Sequence, residues 1–199
     1  MVHVYYGDGK GKTTAAMGQA LRASGAGWRV VAVQFLKDGS SSEIGLLEAL
    51  PGVAAVLHDG AQAKFSFRMS AQEKVASRAL HDANLRRALD LVGGAVGTSG
   101  GRLRACGGDD GTSSRGALLP QGDLLVLDEA LDALGAGLLD GELLGRAIAW
   151  AAGEAARELV VTGHALPDSL ADEADYITHF TCERHPYQRG VAARLGVEY

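Results

Sequence analysis

The sequence is short of several things, and each shortage excludes a class of protein. Its 199 residues include only two cysteines, Cys106 and Cys182, far apart and without partners at metal-ligand spacing. That excludes a disulfide-stapled scaffold and a structural zinc site, and it fits a reducing compartment. No apolar run approaches the ~20 residues that a bilayer-spanning helix needs. Basic residues are outnumbered, 19 Lys+Arg against 24 Asp+Glu, and the net charge is -5. Nucleic-acid binding driven by bulk charge is therefore not expected. Met1 to Tyr6 carries no basic flank and is too short for a signal peptide; it reads as a strand. What is present is ordinary for a globular chain: 47% hydrophobic against 22% charged residues, enough to bury a full core in one domain. The expectation is a soluble, cytoplasmic α/β domain with neither membrane nor nucleic acid as partner.

Short apolar runs alternate with amphipathic stretches along the whole chain. Strands are expected at Val2 to Tyr6, Arg29 to Phe35, Val53 to Leu57, Leu124 to Leu127, Glu158 to Thr162 and Tyr176 to Thr181. Helices are expected from Lys12 to Ser24, Ser42 to Leu50, Ser70 to Val92, Gly141 to Ala152 and Pro167 to Ala174. Ser70 and Glu73 form a capping box, and Val75, Ala79, Ala83, Leu85, Leu89 and Val92 are expected as the buried stripe of the longest helix. Residues 93 to 122 interrupt the pattern with ten of the chain's 28 glycines and no apolar run longer than three residues. Because alternation resumes afterwards, residues 98–120 read as a flexible glycine-rich insertion within one domain spanning 1–199. Near-continuous apolar strands separated by helices predict a mostly parallel sheet covered on both faces.

Chemistry concentrates in Gly7-Asp8-Gly9-Lys10-Gly11-Lys12-Thr13-Thr14, between the first strand and the first helix. A phosphate chain needs backbone N–H groups that converge without Cβ obstruction. Glycines at alternate positions permit that turn, and the helix N-terminus behind it adds a positive dipole end. Lys12 then reaches phosphate oxygens, and the Thr13 hydroxyl is placed to ligate Mg²⁺ or Mn²⁺. The usual phosphate-loop pattern would put its first glycine at Tyr6, so this loop is one residue short and its grip is modified. A second element, Asp128-Glu129, closes the run Leu124 to Leu127. An acidic pair at the C-terminal end of a buried strand sits near the phosphate loop and holds the metal directly or through water. Gln34, on the same sheet edge, either lines the site or packs structurally.

The short loop GDGKGKTTAA, the strand RVVAVQFLK, the segment LLVLDE and the tail HPYQRGVAARLGVEY together resemble the P-loop type of ATP:corrinoid adenosyltransferase. The resemblance covers nearly the whole chain apart from the insertion. It implies a three-layer P-loop NTPase-like (RecA-like) α/β fold. The implied reaction transfers the 5′-deoxyadenosyl group of ATP to Co(I) of a reduced corrinoid and releases triphosphate. The leaving group is highly charged, so amides, Lys12 and the metal aimed at it stabilise the transition state. The cobalt itself is the nucleophile, and the protein's main task is positioning. The family places two aromatics before the long helix, one of which helps displace the lower cobalt ligand; by that resemblance Phe65 and Phe67 are the candidates for the corrinoid face. His164 stands where the family commonly shows an Arg that meets nucleotide oxygens, and Leu131 stands where Asn or Thr is usual. A flavoprotein reductant and a homodimer are also implied. His58 and His81 read as solvated or structural, and His185 as positioning the tail. Two alternatives stay open: an ordinary P-loop ATPase or phosphotransferase, with attack on the γ-phosphorus, and a catalytically impaired corrinoid- or nucleotide-binding module.

Overall fold

Period-two alternation within the strands decides the architecture. The computed structural model describes residues 1–60, 68–93 and 121–197; Phe65, Phe67, Cys106 and the expected insertion at 98–120 lie outside them. Six strands, β1 (Val2–Tyr6), β2 (Arg29–Gln34), β3 (Val53–His58), β4 (Asp123–Asp128), β5 (Arg157–Gly163) and β6 (Tyr176–His179), form one sheet ordered β3-β2-β4-β5-β1-β6. Every pairing is parallel. Alternate residues of the inner strands β2, β4 and β5 enter different cores. Val31 and Val33 join Leu125, Leu127, Leu159 and Val161 on one face, whereas Val30 and Ala32 join Leu124, Val126 and Val160 on the other. This is the three-layer α/β arrangement expected of near-continuous apolar strands.

The first face is covered by α3 (Ala71–Gly93), α4 (Ala130–Gly135) and α5 (Gly141–Ala152), the second by α1 (Lys12–Gly25) and α2 (Ile44–Glu48). A short α6 (Asp168–Ala171) precedes β6, and a 3-10 turn at Pro186–Arg189 follows it. The Ser70–Glu73 capping box is made: Ser70 N–H donates to Glu73 Oε2 at 2.8 Å and Glu73 N–H to Ser70 Oγ at 3.3 Å. The strand expectations hold to within a residue or two, but α4 was not anticipated, because its six residues are too few for a periodic signal.

The buried stripe of α3 also differs from expectation. Val75 is 71% exposed, and Ala79 and Ala83 are exposed too. The buried residues are His81, Asp82, Leu85, Ala88 and Val92. Two polar side chains displace apolar ones from the stripe because each has a specific partner. His81 Nδ1 donates to the Leu138 carbonyl at 2.8 Å, and Nε2 meets Asp59 Oδ2 at 2.7 Å. Asp82 Oδ1 accepts the Asp140 N–H at 2.9 Å, which ties α3 to the start of α5. Hydrophobic periodicity is blind to such bonds.

The Asp59–His81 pair is sealed in the interior, and Asp59 Oδ1 has no partner. Removing one member of such a pair strands the other in a low-dielectric setting. His81→Leu should therefore cost about 3 kcal/mol in urea unfolding, whereas Asp59→Leu combined with His81→Leu should recover most of that loss. A double variant as unstable as the single one would show that the pair itself is not the source.

Candidate active site

The sheet places two loops side by side at the C-terminal ends of its strands. β1 delivers the glycine loop and β4 delivers Asp128, with β5 between them. Gly7 turns the chain at φ 117°, and a Cβ there would collide with the Phe180 carbonyl. Gly9 is also pressed against a neighbouring backbone: its added Cβ would lie 2.7 Å from Phe180 C and 2.8 Å from Thr181 N. The segment after β6 thus passes directly beneath the loop, and only glycine admits that approach. Two loop amides are spent within the protein, one on this segment and one on the end of β5. Gly9 N–H donates to Phe180 O at 2.9 Å, and Gly7 N–H to Gly163 O and His164 O at 3.2 and 3.1 Å.

The amides left for a ligand come later in the loop. Helix α1 starts after Gly11, at φ 116°, with no side-chain cap and no acidic residue in its first turn. An uncapped N-terminus keeps orphan N–H donors and a positive dipole end, the two features that hold an anion. Lys12 is buried, and its ammonium lies inside the loop, donating to Gly7 O at 2.7 Å and Gly9 O at 3.1 Å. Gly9 through Thr14 border a cavity of about 760 Å³, together with Glu129, Lys37, Ser40 to Ser42 and the tail residues Gly196 and Val197.

Asp128 organises the neighbouring ground. It is wholly buried at the end of β4 and is satisfied by four side chains. Thr13 Oγ1 donates to its Oδ1 at 2.9 Å and Thr162 Oγ1 to the same oxygen at 2.8 Å. Lys37 Nζ meets Oδ2 at 2.6 Å, and Gln34 Nε2 donates to it at 3.3 Å. Thr162 also accepts the Glu129 N–H at 2.9 Å, so β5, though it separates β1 from β4, links the two acidic residues. Glu129 takes the left-handed region at φ 61°, a costly conformation for a non-glycine residue. Burial raises its carboxyl to about 7, assisted by a hydrogen bond to Asp132 and the negative charges of Asp128 and Asp132, and opposed by Lys37.

Thr13, Asp128 and Glu129 offer only oxygen, the donor set of a hard divalent cation. Gln34 Oε1, buried beside Asp128, lacks a partner, so the protein alone leaves a hydrogen-bonding deficit at that point. The residues therefore suit Mg²⁺ or Mn²⁺. Among the described residues, Glu129, Asp132 and His164 each bring a ligand atom within 4.8 Å of the others.

The sequence-derived residues thus fall into groups. Gly9, Lys10, Gly11, Lys12, Thr13, Thr14 and Glu129 meet at the cavity, and Asp128 and Gln34 lie behind Thr13. Asp8 faces the tail, where its Oδ1 accepts the Cys182 N–H at 3.2 Å. His164 is exposed and outside the cavity lining, bonded to Asp132 through both its main-chain N–H and its ring Nδ1 at 3.0 Å. His185 caps the 3-10 turn, its Nδ1 accepting the Tyr187 N–H at 3.2 Å, which agrees with a role in shaping the tail. Asp132 and Lys37 were not singled out as site residues. The signal for Lys37 is its place at the end of the segment RVVAVQFLK, just beyond a buried strand.

The family described as ATP:corrinoid adenosyltransferase BtuR/CobO/CobP matches residues 1–199. The chain is similar to a corrinoid adenosyltransferase of Pseudomonas aeruginosa, 28% identical over 200 residues, covering 98% of this chain and 82% of the relative. It is equally similar to the corrinoid adenosyltransferase CobA of Salmonella typhimurium, 28% identical over 200 residues, covering 100% of this chain and 85% of that protein. With a match from end to end around an uncapped, glycine-lined helix start, the chain belongs to the ATP:corrinoid adenosyltransferase family.

Proposed function

We propose that this cavity binds the triphosphate of ATP at Gly9 to Thr14 and transfers the 5′-deoxyadenosyl group to Co(I) of a reduced corrinoid. A cobalt–carbon bond forms at C5′ as the C5′–oxygen bond breaks. The electron pair of the broken bond leaves with the triphosphate, and cobalt supplies the pair for the new bond. The observation that carries this reading is the open N-terminus of α1 with the Lys12 ammonium inside its loop. Two neutral carbonyls are modest partners for a buried ammonium. Phosphate oxygens are stronger ones, so Lys12 exchanges them at little cost and stabilises charge that grows as triphosphate departs. Mg²⁺, held by Thr13, Asp128 and Glu129, would neutralise part of that same charge.

The proposal takes the chain as one domain interrupted near 98–120, and it gives Phe65 and Phe67 to the corrinoid face. His164 is assigned to the nucleotide side of the site in place of an arginine; its bond to Asp132 would have to open for that contact. The likeness to the family further supports a cytoplasmic homodimer served by a flavoprotein reductant. Among the described residues, no helix is long and apolar enough to cross a membrane.

Lys12→Ala should lower turnover by roughly 100-fold or more in an anaerobic assay with ATP, Mg²⁺ and Co(I) corrinoid, the scale seen when one charge-stabilising donor is removed. The wild-type product should be triphosphate. ADP with phosphate would instead identify a phosphotransferase or ATPase, and nucleotide binding without a cobalt–carbon bond would identify an impaired module. Phe65→Ala or Phe67→Ala should slow the reaction begun from Co(II) more than the one begun from chemically prepared Co(I); equal slowing would remove those rings from the reduction step.

Glu129 adds a pH dependence. The folded chain holds its proton up to about 7, whereas an unfolded glutamate releases it near 4.5. Folding therefore takes up a proton across that window. The stabilisation is full below 4.5 and is lost as pH rises through 7. Glu129→Gln, which imitates the protonated form, should match wild-type stability near pH 5 and exceed it near pH 8, as read by urea unfolding. Parallel curves for the two proteins would contradict the raised carboxyl.

A further inference from the structure

Lys37 contacts two of the residues that would hold a divalent cation, Thr13 and Asp128. Its Nζ lies 2.6 Å from Asp128 Oδ2 and 3.1 Å from Thr13 Oγ1, in contact with two of the oxygens that suit a divalent ion. A wholly buried carboxylate without a counter-charge is costly, so the chain supplies one from its own sequence. The backbone is arranged to deliver it. β2 ends at Gln34, the Phe35 N–H still donates to Asp128 O at 2.9 Å, and Leu36 adopts the left-handed region at φ 59°. That turn costs free energy for a leucine, and it leads into a Lys37 whose ammonium reaches back to Asp128. The Lys37 carbonyl accepts the Asp59 N–H at 3.0 Å, which fixes the main chain while the long side chain stays at the cavity wall.

The other donors to Asp128 do not compete for this place. Thr162 and Gln34 approach from β5 and β2 and keep the carboxylate oriented whichever cation faces it. Lys12 is held elsewhere by loop carbonyls, and Lys10 reaches the Val197 carbonyl of the tail. Lys37 alone among the described lysines bonds both Thr13 and Asp128.

We propose that Lys37 is a tethered cation that holds the metal seat in the nucleotide-free protein and moves onto the polyphosphate when metal and nucleotide enter together. The inference rests on the metal reading under the proposed function. Bare metal must evict an ammonium that has no better partner, so it binds weakly. Metal arriving with a polyphosphate offers that ammonium a new anion, so the pair is accepted together and the displaced charge adds to the stabilisation of the leaving group.

The test uses Mn²⁺ as the probe, with free ion counted by electron paramagnetic resonance in protein without nucleotide. If Lys37 fills the seat about nine-tenths of the time, it weakens apparent affinity about tenfold. Lys37→Met and Lys37→Gln should then tighten Mn²⁺ alone about tenfold and weaken binding of Mn²⁺ with ATP. Unchanged affinity for Mn²⁺ alone in both variants overturns the proposal. Should either variant fold poorly, the unmodified chain answers: trace acylation of Lys37, read by mass spectrometry, should quicken when Mn²⁺ saturates, and an unchanged rate overturns the proposal. Asp128→Asn separates the two levels of the argument. If it abolishes nucleotide-dependent Mn²⁺ binding while Lys37 variants behave like wild type, the metal site stands and the tethered cation falls. If it leaves Mn²⁺ binding with ATP intact, the metal reading fails and takes the tethered cation with it.

Discussion

A carboxylate sealed from water keeps its charge only if the protein replaces every bond that water made, and Asp128 is the place where this chain meets that demand. Its two oxygens draw in Thr13 from the start of α1, Gln34 from β2, Lys37 from the turn after β2 and Thr162 from β5. Four side chains from three stretches far apart in sequence converge because one buried anion requires them. The order β2-β4-β5-β1 places β5 between the acidic strand and the strand that carries the glycine loop; the Thr162 hydroxyl ties β5 to the end of β4 through Asp128 and the Glu129 amide, and Thr13 reaches Asp128 from the start of α1. The glycine loop and the acidic end of β4 are consequently joined in one side-chain network.

Local chemistry determines which parts of this object were legible in the sequence. The glycine loop could be read because glycine, lysine and threonine at fixed spacing between a strand and a helix have a mechanical meaning. The strands could be read because valine and leucine runs buried on both faces look alike wherever they occur. The stripe of α3 was misread for the converse reason: His81 and Asp82 are buried through bonds to Asp59, Leu138 and Asp140, and no periodicity records a partner in another element. Lys37 escaped notice on the same ground. Its role exists only once Leu36 turns the backbone and β4 brings Asp128 alongside. Asp132 is a similar case, lying in the short helix α4 that has too few residues to announce itself.

Backbone strain falls where these long-range contacts meet. Two non-glycine residues occupy the left-handed region among the described residues, Leu36 and Glu129, and each adjoins a residue that faces the cavity or the seat. A left-handed leucine or glutamate costs about 1–3 kcal/mol, which the surrounding structure must over-determine. For Leu36 the restraint is visible as the Phe35 N–H on Asp128 O and the Asp59 N–H on Lys37 O, one on either side of it. For Glu129 it is the Thr162 hydroxyl on its amide and the α4 helix that begins at Ala130. Sequence propensity argues against both conformations, so their persistence marks positions held by tertiary contacts.

The chemistry assigned to the family sharpens why cations are distributed as they are. Displacement at a sugar carbon leaves no pentavalent phosphorus to stabilise, so the charge that grows is the charge of a departing polyphosphate. Donors are then most useful along that chain rather than at one phosphorus. An open helix terminus, a lysine inside the loop and a second lysine beside the metal seat are spread in that way. The two lysines rest on unlike partners: Lys12 on neutral carbonyls, Lys37 on a full negative charge. An ammonium on carbonyls is available to the first phosphate that arrives, whereas one on a carboxylate is released only when another cation takes its place. Asp128 therefore does more than bind: by holding or releasing Lys37 it makes the positive charge facing the leaving group depend on whether the metal has come with it.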